Sequence, residues 1–85
     1  MTLYEFIKLC PANWPQPDPY IILNDDAGYD IDWDFGKGKV VSITIDEHGN
    51  IGWAALIDGK SQHGKKDKPQ EIPKEIIDIF TQLGF

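Results

Sequence analysis

From Tyr29 to Asp58 the chain reads YDIDWDFGKGKVVSITIDEHGNIGWAALID, with apolar and polar residues alternating almost without a break between short glycine-bearing turns. A period of two sends successive side chains to opposite faces, so this stretch predicts antiparallel strands with one buried face. Two turn lengths compete at the first break. A two-residue loop at Gly36-Lys37 would pair Trp33 with Val40 and put Trp33 on the face opposite Val41, Ile43 and Ile45. A three-residue loop, Gly36-Lys37-Gly38, pairs Trp33 with Val41 and Ile31 with Ile43, so every large apolar side chain faces one way. A slip of one residue moves every side chain across the sheet, and the register that keeps one face apolar wins.

The same reasoning selects Glu47-His48-Gly49 for the second turn, pairing Ile45 with Ile51 and Ile43 with Trp53. Both turns end in glycine, as expected where a type I turn is followed by a left-handed residue and a bulge. Asp58-Gly59 signals a two-residue hairpin, making 60–64 a short edge strand whose lysine guards against unwanted pairing. Trp33 and Trp53 fall on the core face, near Ile31, Ile43 and Phe80, where so small a domain needs them as core rather than as a stacking platform.

The flanks read as helices. Thr2 with Glu5 forms a capping box, and Leu3, Phe6, Ile7 and Cys10 follow at helical spacing, predicting a short helix over 2–10 ended by Pro11. PANWPQPDP then holds four prolines in nine residues, an extended connector that Trp14 pins to the core. Tyr20 to Leu23 reads as a first strand and 24–28 as a turn. Residues 65–71 read as a solvated loop. Ile72-Pro73 opens a helix to about Leu83, with a broad stripe of Ile76, Phe80 and Leu83 flanked by Ile77 and Ile79. The expected fold is α+β: a single domain over 1–85, ordered α-β-β-β-β-(β)-α, whose antiparallel meander of four to five strands carries helices on at least one face.

Charge bounds the function. Fourteen acids against eight basic residues give a net charge of −6, which disfavours direct nucleic-acid binding because such affinity rests on neutralising phosphates. All eight basic residues are lysine, so the bidentate guanidinium fork is unavailable. Six acids and no base lie between Asp18 and Asp34, while Lys60, Lys65, Lys66 and Lys68 cluster later. This segregation reads either as ordinary solubility charge or as an acidic face for a basic partner. Without a signal-peptide pattern or a long apolar run, and with Cys10 as the lone cysteine, a cytoplasmic protein with no membrane contact is expected.

The register gives the far face of the sheet a definite composition. Asp34 sits beside Val40 and Leu56, Asp32 beside Ser42 and Ala54, and Asp30 beside Thr44 and Gly52. Such a face can be plain solvated sheet, the seat of the N-terminal helix, or a docking surface. Asp30-x-Asp32-x-Asp34 resembles the opening of a calcium loop, yet Phe35 and Val41 stand where that loop needs glycine and glutamate, and alternate strand residues do not converge on an ion. Asp34-Phe35-Gly36 is an echo of the kinase magnesium motif in a chain too short for a kinase. On the rung Asp32–Ser42–Ala54–His63, the histidine lies about 9–10 Å from Ser42, beyond the ~3 Å reach of a general base. Neither His48, His63 nor Cys10 has metal-ligand spacing. No catalytic residue, metal or cofactor is expected.

The leading expectation is a small non-catalytic module acting on a protein partner with a basic surface. Asp30, Asp32 and Asp34, with Asp25 and Asp26, would present the negative charge. By size and charge it is comparable to toxin-neutralising immunity proteins or phage-encoded, anti-CRISPR-like blockers of defence nucleases. Carboxylates about 6.5–7 Å apart along a strand approximate the ~7 Å phosphate repeat, which would make the face a partial DNA mimic. A second reading is a homodimer that pairs through Val40, Leu56 and the flat face.

Overall fold

Every pairing chosen by keeping one sheet face apolar is present. The structure, a computed structural model, describes residues 1–15, 21–23 and 28–85. Its elements run α1 (Leu3–Leu9), β1 (Ile21–Leu23), β2 (Tyr29–Asp34), β3 (Val40–Ile45), β4 (Ile51–Ile57), β5 (Lys60–Lys66) and α2 (Lys74–Gln82). The five strands form one antiparallel sheet in chain order, a meander without crossovers. Trp33 pairs with Val41, Ile31 with Ile43, Ile43 with Trp53 and Ile45 with Ile51. The expectations for the connector over 16–19, for Tyr20 and for the turn over 24–27 lie outside the described residues.

The turns differ from one another in a way their lengths do not reveal. Gly49 alone is left-handed in the second turn (φ 82°), consistent with a type I turn closed by glycine. In the first, Gly36, Lys37 and Gly38 all have positive φ (72°, 54° and 75°). A type I turn needs negative φ at its central residues, so that expectation is corrected. The two flanking glycines make the left-handed run affordable, and an Asp34 side-chain oxygen accepts from the Gly36 amide (2.8 Å). β5 is also longer than expected, continuing to Lys66, with Lys65 and Lys66 still paired to Gly52 and Ile51.

Both helices lie on the apolar face of the sheet. Phe6 of α1 meets Trp33 edge-on (6.5 Å), and Phe80 of α2 meets the same indole at 5.1 Å. Trp14 stacks on Phe80 at 3.9 Å between ring centres, so the connector is pinned as expected, and the Trp33 indole N–H donates to the Pro15 carbonyl (3.1 Å). Phe80 is fully buried and also touches Phe35 and Phe85. Met1 is buried with them, and its backbone nitrogen donates to the Gly49 carbonyl (2.7 Å). Each large side chain fully removed from water contributes about 1.5–3 kcal/mol.

The helices begin much as the sequence implies, but their apolar stripes are narrower. The capping box closes with Glu5 N–H donating to Thr2 Oγ1 (3.1 Å) and Thr2 N–H to Glu5 Oε1 (3.3 Å). Pro73 is the N-cap of α2. Ile7 and Ile77, expected in the buried stripes, are 49% and 42% exposed. Each follows directly on a buried residue, Phe6 or Ile76, and one residue rotates a helical side chain by about 100°, carrying it off the contact line.

Candidate open sheet face

With both helices on one side, the other face of the sheet has no helix over it among the described residues. Strand alternation projects three complete rungs onto it. They read Asp34–Val40–Leu56–Ser61, Asp32–Ser42–Ala54–His63 and Asp30–Thr44–Gly52–Lys65. None of these twelve residues is buried, whereas their neighbours Ile31, Trp33, Val41, Ile43, Trp53 and Ala55 all are. Val40 is 39% exposed and sits across from Leu56 at one end.

The predicted aspartate row is therefore present on β2, and its geometry is fixed by neighbours rather than left to solvent. Ser42 Oγ donates to Asp32 Oδ1 (2.7 Å) and Thr44 Oγ1 to Asp30 Oδ1 (2.8 Å). These cross-strand bonds hold the carboxylates against the sheet and use the very hydroxyls of the neighbouring strand. Ser42 thus donates to a carboxylate, while His63 lies at the far end of its rung, two strands away. The expectations for Asp25 and Asp26 lie outside the described residues.

Opposite the acids, the same face carries a second row, in which His63 stands where the sequence placed it and Lys65, expected in a loop, is added. Ser61, His63 and Lys65 project from β5 beside Leu56, Ala54 and Gly52. The signal was available: the two-residue Asp58-Gly59 turn fixes the pairing of Ile57 with Lys60, and parity does the rest. The face thus runs from three aspartates at β2, through small and apolar residues, to Ser61, His63 and one lysine, Lys65, at β5.

Beyond the Asp30 rung the face dips into a recess of about 280 Å³ lined by Thr44, Asp46, Asn50, Gly52, Lys65 and Asp67. Gly52 leaves the floor low because it has no side chain. Asp46 organises one wall: its Oδ1 accepts from the backbone N–H of His48 (2.8 Å) and Asn50 (3.0 Å), and its Oδ2 from the Asn50 amide (3.0 Å). Desolvation would raise its carboxyl, but the hydrogen bonds from Asn50 and His48, with the nearby His48 charge, outweigh it and hold the group below the usual range. Elsewhere, half-burial pushes the Cys10 thiol up to about 11, so at neutral pH the sulfur keeps its proton. Among the described residues no three His, Cys, Asp or Glu side chains converge in a way that could hold a metal ion, and no helix is long and apolar enough to cross a membrane.

Compared with known proteins, the chain matches no family model, no curated protein and no solved structure.

Proposed function

We propose that this chain is a non-catalytic protein-binding module that works through the open face of its sheet. In this reading Asp30, Asp32 and Asp34 meet a basic surface on the partner, and Val40 and Leu56 supply an apolar contact at one end. The observation that carries it is the placement of both helices on the opposite side, with the aspartate row on a face where no residue of the three rungs is buried. Carboxylates already held by Ser42 and Thr44 lose little side-chain freedom on docking, which favours binding by preorganisation. The net charge of −6 steers such a module toward cationic grooves and away from nucleic acid.

An inhibitor of the immunity-protein or phage-encoded, anti-CRISPR-like kind fits this description. It would occupy a groove that otherwise holds a phosphate backbone, in a cytoplasmic setting. The test is affinity capture from native-host lysate with wild type and with Asp30→Asn/Asp32→Asn/Asp34→Asn. A stoichiometric partner should be retained by wild type and lost, by at least about tenfold in affinity, from the variant. Raising ionic strength from about 0.1 to about 0.5 M should weaken the wild-type complex, since exposed charges are screened over a few ångströms at high salt. Equal capture by both proteins would overturn the reading.

A further inference from the structure

We infer that, in the purified protein, a second copy of the chain covers the open face, related to the first by a two-fold axis that runs parallel to the strands between β3 and β4. The inference rests on the proposal that this face is a protein-docking surface, and it names what covers the face when the basic partner is absent. Its basis is that the face is complementary to itself. A rotation about that axis lays β2 of one copy over β5 of the other, and β3 over β4, without shifting any rung along the strands. Asp30 then faces Lys65 of the second copy, Asp32 faces His63, and Asp34 faces Ser61. In the middle Thr44 faces Gly52, Ser42 faces Ala54 and Val40 faces Leu56. Symmetry makes each of these contacts twice, as an isologous interface requires.

Charge selects this axis over its alternative. A two-fold axis across the strands would lay β2 on β2 and β5 on β5, setting Asp32 against Asp32 and Asp30 against Asp34, while Lys65 would meet only Ser61. The parallel axis removes the aspartate–aspartate contacts and brings Asp30 to Lys65 instead. Small residues in the centre let the faces approach, and packed sheets lie about 10 Å apart with a relative rotation of about 30°. The long Lys65 stem takes up the offset this rotation causes at the outer rung. The net charge of −6 on each copy opposes association only weakly, because it is spread over the surface and screened beyond about 8 Å at physiological ionic strength.

Size sets the strength. Four strands about 4.8 Å apart and six or seven residues long make a face of roughly 19 by 22 Å, so two faces cover about 850 Å² before side-chain relief. That is the scale of a weak, reversible association.

The experiment is sedimentation over a series from about 10 µM to about 1 mM, within the range where such interfaces dissociate. Wild type should rise from the 9.6 kDa of one chain toward twice that mass. Asp30→Lys and Lys65→Asp should each weaken the dimer at least about tenfold, because each places two like-charged pairs in the interface. Asp30→Lys/Lys65→Asp should restore it to within about threefold of wild type, since the swapped charges meet again. Circular dichroism on each variant checks the fold, and Lys65→Asp, at an exposed edge position, remains interpretable should Asp30→Lys fail to fold.

A protein that stays monomeric throughout overturns the inference. So does a dimer indifferent to both single changes, or, with all variants folded, one that the double change fails to restore. The underlying proposal fails separately: a monomer whose lysate partner is lost with Asp30→Asn/Asp32→Asn/Asp34→Asn refutes only the second copy as occupant. A monomer whose capture is unchanged refutes both.

Discussion

The two faces of this sheet are built from the same strands, residue by residue, and do opposite things. On one face Ile31, Trp33, Val41, Ile43, Trp53 and Ala55 are buried under α1 and α2. On the other, one position along each strand, stand Asp32, Ser42, Ala54 and His63, none of them buried. The covered face obtains its stability from area removed from water and from close packing, and it tolerates little change. The open face owes its order to the covered one: cross-strand bonds such as Ser42 to Asp32 cost little because the backbone beneath is already fixed. A small domain can thus bury one face of its sheet and keep the other open.

The sharpest way to break this division is to damage the covered face. Phe80, fully buried and in ring contact with Trp14, Trp33, Phe35 and Phe85, is its centre. Phe80→Ala should cost about 3–5 kcal/mol in urea denaturation, much of the total for a domain this size. Two glycines give a finer contrast. Gly64, on the covered side of β5, lies under the Trp53 indole, and a Cβ there would overlap ring atom Cζ2. Gly52, on the open side of β4, has the Gly64 carbonyl at 3.8 Å as the nearest atom to an added Cβ. Gly64→Ala should therefore cost about 1–3 kcal/mol through displacement of the indole, and Gly52→Ala no more than about 0.5 kcal/mol.

The smallest effect belongs to the turn that borders the open face. Asp46 is held below the usual carboxylate range, so its contribution to stability is present at neutral pH and is lost as pH falls through the folded-state value. The melting-temperature gap between wild type and Asp46→Ala should therefore be open at pH 7 and narrow below about pH 4, where an unfolded aspartate takes up its proton. A gap that stays constant down to pH 2 would mean that the turn, rather than its charge, carries the effect.

The covered face was legible in the sequence because a single-residue slip would have exposed Trp33 or buried Asp32, and only one register avoids both. The same parity placed the aspartates beside Ser42 and Thr44. What period-two patterning cannot state is which side of the sheet a helix chooses. Phe6 decides this by meeting Trp33, a contact between residues far apart in sequence. Nor could turn length reveal that Gly36, Lys37 and Gly38 share left-handed backbone, since three residues can close the hairpin in several ways. Parity placed His63 on the open face and could have placed Lys65 beyond it, but Lys65 read as loop because Lys65 and Lys66 lead into a polar, proline-bearing segment. Gly64 carried a signal as well: a glycine inside a strand, opposite a tryptophan, marks a place where a ring lies on the backbone.

The central claim is that the open face is for contact and is not needed for folding. Its most direct test measures both properties on one protein, Asp30→Asn/Asp32→Asn/Asp34→Asn, by urea unfolding and by partner capture from the same preparation. Asparagine keeps an oxygen able to accept from Ser42 and Thr44, so unfolding should change by less than about 1 kcal/mol while capture is lost. A variant that loses stability on the scale of Phe80→Ala yet still captures the same partner would show the aspartate row to be part of the scaffold, and would contradict the account.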